Sequence, residues 1–172
     1  MAAQRKPPSR SRSTGAKKRR SRGRGEMDLF GLLKQDHDRV RDLFDQIEEE
    51  TLEMEFQGDL FSQIEDELQL HMEGEEGFFY PALKESAKAH EKALESYEEH
   101  HLAKIVLDEF GDLAQDDERW KAKIKVLKEI VTHHIEEEEK AIFKIARKAL
   151  DREQIRQIGQ QIRQQKQQVG KA

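Results

Sequence analysis

Two segments of the chain place a histidine and a glutamate four residues apart. His71 and Glu75 lie in LQLHMEGEEGFFYP, and His134 and Glu138 lie in IVTHHIEEEEKAIF. In a helix, residues at this spacing share one face and lie about 5–6 Å apart. Imidazole nitrogen and carboxylate oxygen atoms are ligands that suit iron or manganese better than a structural zinc. The chemistry that these two pairs predict is metal binding.

Two further histidines lie on the apolar faces of other helical segments. His37 is the only candidate in its segment, whereas another segment offers the adjacent pair His100 and His101. When His100 is aligned with His37, the residues that follow at three- and four-residue steps are apolar in both segments. When His101 is aligned there instead, Lys104 and Asp108 fall on apolar positions. We therefore predict that His100 faces inward.

The same comparison favours His134 over its neighbour His133. Aligning His134 with His71 also aligns Glu138 with Glu75, so two helices repeat one pattern. Two buried carboxylates repel each other, and a pair of metal ions turns that repulsion into ligation. The spacing predicts one centre in the core with the following ligands: His37, His71, Glu75, His100, His134 and Glu138.

Four amphipathic helices must position these residues. Apolar side chains recur every three or four residues in four segments, and no segment alternates as a β-strand does. The stretch FQGD is interpreted as a short connection, and Pro81 is expected to bend or end the second helix. The prediction is an all-α fold, an antiparallel up-down four-helix bundle. Its helices span about residues 28–51, 59–81, 87–114 and 118–150.

Charge is distributed unevenly along the 172-residue chain. Residues 1–26 contain ten Lys/Arg and one acidic residue, a net charge of +9, whereas residues 27–172 carry −14. The first segment has no Leu, Ile, Val or aromatic residue, so burial cannot offset the entropy cost of ordering it. We predict a disordered basic arm (1–26), the helical bundle (27–150) and a short C-terminal helix with a tail (151–172). Whether Met27 is the true start remains open.

The basic arm is a candidate for binding nucleic acid through residues 5–24. It has no aromatic residue for base stacking, so such binding would be independent of sequence and sensitive to salt; the alternative is a solvated tail. The chain has no cysteine, which excludes disulfides and thiolate metal sites. It also lacks the apolar run of roughly 18 residues that a membrane span needs. We expect a cytoplasmic protein with no membrane partner.

Taken together, the motifs resemble those of the hemerythrin-type HHE cation-binding domain. The resemblance covers about residues 28–150. It implies a centre of two non-haem iron ions, with manganese as the second choice, held by one histidine from every helix and bridged by carboxylates. It also implies that the protein binds, senses or detoxifies dioxygen or a related small oxidant such as nitric oxide or peroxide. The matching motifs are DHDRVRDLF around His37, HMEGEEGFFYP from His71, EEHHLAKIVLDEF around His100 and HIEEEEKAIF from His134.

The chain departs from the oxygen-carrying hemerythrins at one position. Those proteins are expected to carry a second histidine one turn before that of the third helix, where this chain has Ser96. Fewer protein ligands leave more room for water or an oxidant on the metals, which favours sensing or detoxification over simple oxygen storage. The residues that could supply a further ligand are His101, His133, Tyr97 and Glu139.

Two other functions compete with this interpretation. In the first, the bundle is an interaction module whose arm binds nucleic acid, and replacing His71 and His134 would leave its stability unchanged. In the second, the protein is an enzyme that degrades peroxide. No separate general base or substrate pocket is evident in the sequence, so the enzyme is the weaker alternative.

Overall fold

The computed structural model describes residues 28–49 and 54–169. All regular structure in these ranges is helical, so the all-α prediction is confirmed for them. The basic arm predicted for residues 1–26 lies outside the described residues. The helices are α1 (Leu29–Ile47), α2 (Met54–Gly74), α3 (Tyr80–Lys84), α4 (His90–Asp108), α5 (Arg119–Glu137), α6 (Phe143–Ala149) and α7 (Arg152–Val169), with π-helical segments at Glu75–Phe79 and Glu138–Ile142.

The FQGD stretch is helical, so the prediction of a connection at residues 56–59 is wrong. These residues belong to α2, which begins at Met54. A Cβ atom at Gly58 would lie 3.0 Å from the Gln115 side-chain nitrogen, so this glycine allows a close approach of the two segments. Tertiary packing of this kind overrides the weak helix propensity of glycine.

Pro81 changes the helix that carries His71 without ending it. The helix adopts π geometry immediately before Pro81, with the Tyr80 N–H donating to the Glu75 carbonyl five residues back, and then continues to Lys84. Proline has no N–H, so in this register the Glu76 carbonyl has no backbone donor. The Tyr97 hydroxyl donates to that carbonyl at 3.2 Å. A side chain of α4 therefore supplies the hydrogen bond that the proline cannot make.

Two apolar clusters form the core, and the predicted ligands lie between them. On α1, Leu29 and Leu33 belong to one cluster, Val40 and Leu43 belong to the other, and His37 lies between. Ile158 and Ile162 of α7 belong to the same cluster as Leu29 and Leu33. Within the described part of the chain, no helix is long and apolar enough to cross a bilayer.

Helix α7 packs against α1, α2 and the first π-helical segment. A Cβ atom at Gly159 would lie 3.3 Å from the backbone of Leu29, so the glycine permits close contact between α7 and α1. The apolar residues Ile158 and Ile162 of α7 are buried. Near its C-terminal end, Lys166 places its ammonium nitrogen 2.5 Å from Oδ1 of Asp36 on α1. The helix therefore contributes both apolar and ionic contacts to the fold.

Candidate metal centre

All six predicted ligands are buried, each exposing 5% or less of its surface. Four of the five long helices in the described part of the chain each contribute one histidine, and α7 contributes none. Both π-helical segments begin at a predicted carboxylate ligand, and π-helical segments are frequent at functional sites. The ligands come from α1 (His37), α2 (His71), α4 (His100), α5 (His134) and the two π-helical segments (Glu75 and Glu138).

The six side chains form two overlapping groups that are suited to metal ions. In each group, one potential ligand atom from every residue lies within 4.8 Å of the others. Glu75 belongs to both groups, so its carboxylate lies between two neighbouring cation positions. The larger group consists of His37, His71, Glu75 and Glu138, and the smaller group consists of Glu75, His100 and His134.

The larger group contains buried polar atoms that no protein group satisfies. The Nε2 atom of His37 lies 3.1 Å from Oε2 of Glu138, and that of His71 lies 3.2 Å from Oε2 of Glu75. Among the described residues, neither nitrogen has a hydrogen-bond partner, and neither do Oε1 of Glu75 and both oxygens of Glu138. Each such atom costs roughly 1–3 kcal/mol if it stays unsatisfied. A bound cation would accept the lone pairs of all of them, so these residues fit a metal.

The smaller group brings two imidazole rings together edge on. The Nε2 atoms of His100 and His134 lie 3.1 Å apart, and they lie 3.4 and 3.9 Å from Oε2 of Glu75. The Nδ1 atoms of both rings contact carboxylates, Glu76 at 3.0 Å and Glu99 at 2.8 Å. A carboxylate only accepts, so Nδ1 carries the proton and Nε2 presents its lone pair to the centre. Two converging lone pairs are the arrangement that a metal ion requires.

The outer nitrogen, Nδ1, of each histidine of the centre contacts a carboxylate that lies outside the centre, called an outer carboxylate below. Each outer carboxylate in turn contacts a lysine, an arginine or a histidine. Such partners fix the tautomer and the ring orientation of a metal-binding histidine. The contacts of Nδ1 are His37 with Glu139 (3.1 Å), His71 with Asp36 (3.5 Å), His100 with Glu76 and His134 with Glu99. The neighbours of the carboxylates are Lys34 and Arg41 for Glu139, Lys166 for Asp36, Lys104 for Glu76 and His133 for Glu99.

None of the four residues proposed as a further ligand enters the centre. His101 and His133 are exposed, and the Tyr97 hydroxyl donates to a backbone carbonyl. Glu139 contacts the outer nitrogen of His37, so it supports a ligand from behind.

Tyr80 enters the centre, although the sequence pattern did not indicate it. Its hydroxyl donates to Oε2 of Glu75 at 2.8 Å and lies 3.2 Å from Nε2 of His100. Tyr80 follows Glu75 by five residues, a spacing that shares a face in a π-helix and not in an α-helix. The signal that could have revealed it is the proline at position 81, which makes a distorted turn necessary. Burial, with the Glu75 carboxylate nearby, raises the pKa of Tyr80 well above its usual range, so the phenol keeps its proton.

The two inner carboxylates have opposite electrostatic environments. Burial alone would raise the pKa of Glu75, but the charge of His71 and the hydrogen bonds from His100, His134 and His71 together outweigh it. They hold that pKa well below its usual range. Burial and the negative charge of Glu75 raise the pKa of Glu138 well above its usual range. The surroundings therefore favour the ionised form of Glu75 and the protonated form of Glu138.

The two histidines of the larger group differ in the same way. Burial lowers the pKa of His71, yet the Glu75 and Asp36 carboxylates raise it to about 9. Burial and the positive charge of His71 lower the pKa of His37 to about 3. His37 is thus a neutral imidazole at moderate pH values, whereas His71 would have to lose a proton before it could bind a metal.

The outer carboxylates should affect metal affinity measurably. We expect Glu99→Ala to weaken metal binding roughly 10- to 100-fold, because His134 loses the acceptor that orients its ring. The matched control is Glu98→Ala, which removes an exposed carboxylate from the adjacent position. Competition with a chromophoric chelator measures both dissociation constants. Equal affinities for the two variants would show that Glu99 does not support the centre.

Comparison with known proteins agrees with this geometry. The hemerythrin HHE cation-binding domain matches residues 28–146. A hemerythrin HHE cation-binding domain-containing protein, the Rv2633c homolog from Mycobacterium kansasii, has a crystal structure that superimposes with a TM-score of 0.73. The match covers 85% of this chain and 90% of that chain at 20% identity, so it concerns the fold alone.

A DNA nickase of Nostoc sp. strain PCC 7120 is 27% identical over 132 residues, which are 77% of this chain and 37% of that protein. This chain thus spans well under half the length of that relative. The family match, in contrast, covers most of this chain and includes all six buried donors, and the donor groups indicate metal binding. The resemblance that the motifs predicted is confirmed, and the chain belongs to the hemerythrin HHE cation-binding domain family.

Proposed function

We propose that this protein holds two non-haem iron ions and uses them to bind, sense or detoxify a small oxidant. The observation that carries the proposal is the set of unsatisfied buried donors arranged in two groups that share Glu75. Nitrogen and oxygen donors without thiolate favour iron, with manganese as the second choice. The proposal includes an antiparallel up-down bundle of four helical segments and a cytoplasmic location.

The residues of the chain favour one of the two positions for the oxidant. The group of His100 and His134 offers three donors with Glu75, whereas the other group offers four. A metal with fewer protein ligands keeps positions open for an external molecule. The Tyr80 hydroxyl lies on that side, with its oxygen 3.2 Å from Nε2 of His100 and its proton donated to Oε2 of Glu75. When bound, the iron pair would supply the redox chemistry, and Tyr80 would hold the shared Glu75 carboxylate in place.

A small cavity beside the centre limits the size of the oxidant. Its volume is about 20 Å³, and the four inner histidines contribute to its wall. A single water needs roughly 10–15 Å³ measured in this way, so the cavity accommodates a molecule of a few atoms. Dioxygen, nitric oxide and hydrogen peroxide meet that limit, whereas an organic substrate does not. The apolar part of the wall consists of Val40, Leu68, Met72, Ala103, Ile130, Val131 and Ile135.

Metal analysis with optical spectroscopy tests this proposal. Protein purified aerobically from iron-supplemented cells should contain about two iron ions per chain and show a near-ultraviolet oxo-to-iron band. Reaction with dioxygen, nitric oxide or peroxide should change that band. Protein that is colourless, free of metal and stably folded would refute the proposal. Steady turnover of peroxide that is lost in Glu138→Ala would identify the protein as an enzyme.

A second function, binding of nucleic acid by the basic arm, has separate support. Residues 1–26 carry a net charge of +9, and one relative of this chain is named as a DNA nickase. We propose that residues 5–24 neutralise phosphates without reading sequence. Replacing Lys17, Lys18, Arg19 and Arg20 by glutamine in the full chain should reduce DNA binding and its dependence on salt. Unchanged retardation of DNA would exclude this role for the arm.

A further inference from the structure

Positive charge in the described helices is concentrated in α6 and α7. Residues 143–169 contain seven Lys/Arg and two acidic residues, a net charge of +5. Residues 27–142 contain thirteen Lys/Arg and thirty-three acidic residues, a net charge of −20. Because positive and negative residues lie in different parts of the chain, the surface of α6 and α7 is positively charged and the rest of the described surface is negatively charged. A surface of this kind attracts a polyanion that the rest of the protein repels.

Four of these seven positive residues line a groove between α6, α7 and the start of α1. Its volume is about 510 Å³. Asp28 is the one acidic residue among the described residues of its wall, and its carboxylate already accepts the N–H of Gly31 at 2.9 Å as the cap of α1. Four arginines therefore face Asp28 and the Glu153 carboxylate that pairs with Arg156, which leaves the groove with an excess of positive charge. The arginines in its wall are Arg147, Arg152, Arg156 and Arg163.

The arginines are arranged as a row. Arg152, Arg156 and Arg163 lie within about 40° of one another around α7 and span roughly 16 Å along its axis, as helical geometry requires. This length corresponds to about five phosphates along one strand of duplex DNA, at 3.4 Å each. Across the groove, the Arg147 guanidinium stacks 4.0 Å from the centre of the Phe30 ring. That contact holds a fourth positive charge in place on the opposite wall.

We propose that this groove binds the phosphate backbone of double-stranded nucleic acid. The row of arginines faces a repeating line of negative charges in this occupant, and guanidinium groups bind phosphate oxygens in a bidentate manner. The one aromatic residue in the wall, Phe30, is buried and covered by Arg147, so the groove offers no platform for an unstacked base. The groove lies apart from the metal centre, and this inference holds whatever the metals do.

Salt-dependent binding of a labelled DNA duplex by the full-length protein tests the proposal. The variant R152Q/R163Q leaves Arg156 paired with Glu153 and removes two charges from the row. Its affinity should fall roughly tenfold or more at low salt. The slope of log K against log salt, measured between roughly 50 and 200 mM, should become shallower by about two, one for each lost phosphate contact. The charge-preserving variant R152K/R163K should retain most of the slope.

The matched control is K121Q/K125Q, which makes the same change of charge on α5, beside Glu48 and Glu49. It should bind DNA as the unmodified protein does, and circular dichroism should show equal helix content and melting for all variants. If R152Q/R163Q binds like this control, the proposal is wrong. It is also wrong if only the arm variant K17Q/K18Q/R19Q/R20Q changes the slope, or if the groove variant loses binding to phosphatidylserine vesicles and not to DNA.

Discussion

Replacing Glu75 by alanine should abolish stable loading of both metal ions. Its carboxylate belongs to both donor groups and lies 3.2 Å from Nε2 of His71 and 3.4 Å from Nε2 of His100. Loss of an outer partner of a ligand costs about 10- to 100-fold in affinity, and loss of a shared ligand should exceed that range. Metal content after desalting should fall from about two ions per chain to well below one.

The control for this experiment is Glu65→Ala, which removes an exposed carboxylate from the same helix. Surface substitutions of this kind usually change stability by less than about 0.5 kcal/mol. Glu65→Ala should therefore load metal as the unmodified protein does. A Glu75→Ala protein that retains two tightly bound ions would contradict the assignment of Glu75 as a shared ligand.

Removing the metal should destabilise the fold substantially. Without a cation, the two inner carboxylates and the four imidazole rings would face one another across the centre. A ligand present at about 1,000 times its dissociation constant stabilises the folded state by about 4 kcal/mol. In a chain of this size, that change corresponds to a fall in the melting temperature of roughly 10 °C. Thermal unfolding with and without a chelator measures it, and identical melting curves would refute a structural contribution from the metal.

The stability of the chelated protein should decline as the pH rises from about 6.5 to 9. The folded protein holds the proton of His71 up to a pKa of about 9, whereas the unfolded chain releases it near 6.5. The stabilisation from this raised pKa is fully present below 6.5 and disappears at about 9. The raised pKa of Glu138 acts in the same direction.

Below about pH 6.5, the stability of the folded protein should change with pH in the opposite direction. His37 has a pKa of about 3 in the folded protein. Between pH 6.5 and 3 the unfolded chain gains a proton that the folded protein excludes, so stability also falls toward acid. Urea unfolding across this range measures both limbs. His37→Gln should flatten the acid limb, because glutamine does not titrate.

Metal binding should release protons, because His71 must lose its proton and the environment of Glu138 favours its protonated form. At pH 7 we expect about one proton per chain from His71, whose pKa is about 9, and a further contribution from Glu138. Calorimetric titration in two buffers with different enthalpies of ionisation measures this number. A binding enthalpy that is independent of the buffer would contradict the protonation states of these two residues.

The inner side chains of the centre could be predicted from the sequence because helical periodicity determines them. A polar residue on an apolar stripe is conspicuous, and the i, i+4 pairs place His71 with Glu75 and His134 with Glu138. The comparison of adjacent histidines selected His100 and His134, and the structure buries both while leaving His101 and His133 exposed. Each of these inferences depends only on the direction in which a side chain points from a regular α-helix.

The outer shell could not be predicted in this way. Glu76, Glu99 and Glu139 lie in acidic runs, where most carboxylates are solvated, and only packing between helices shows which ones reach a histidine. The sequence did not indicate Tyr80, because a π-helical segment shifts the periodicity by which the buried face of a helix is recognised. The start of α2 at Met54 was missed because glycine usually interrupts a helix.

The ion pair between Lys166 and Asp36 has a consequence for dissecting this protein. Lys166 belongs to α7, beyond residue 146 where the family match ends, and Asp36 lies 3.5 Å from Nδ1 of His71. A fragment trimmed to the matching boundaries would lack this ammonium group, and Asp36 would keep His71 as its one remaining positive neighbour among these contacts. We therefore expect such a fragment to hold His71 less firmly than the chain that includes the last helix.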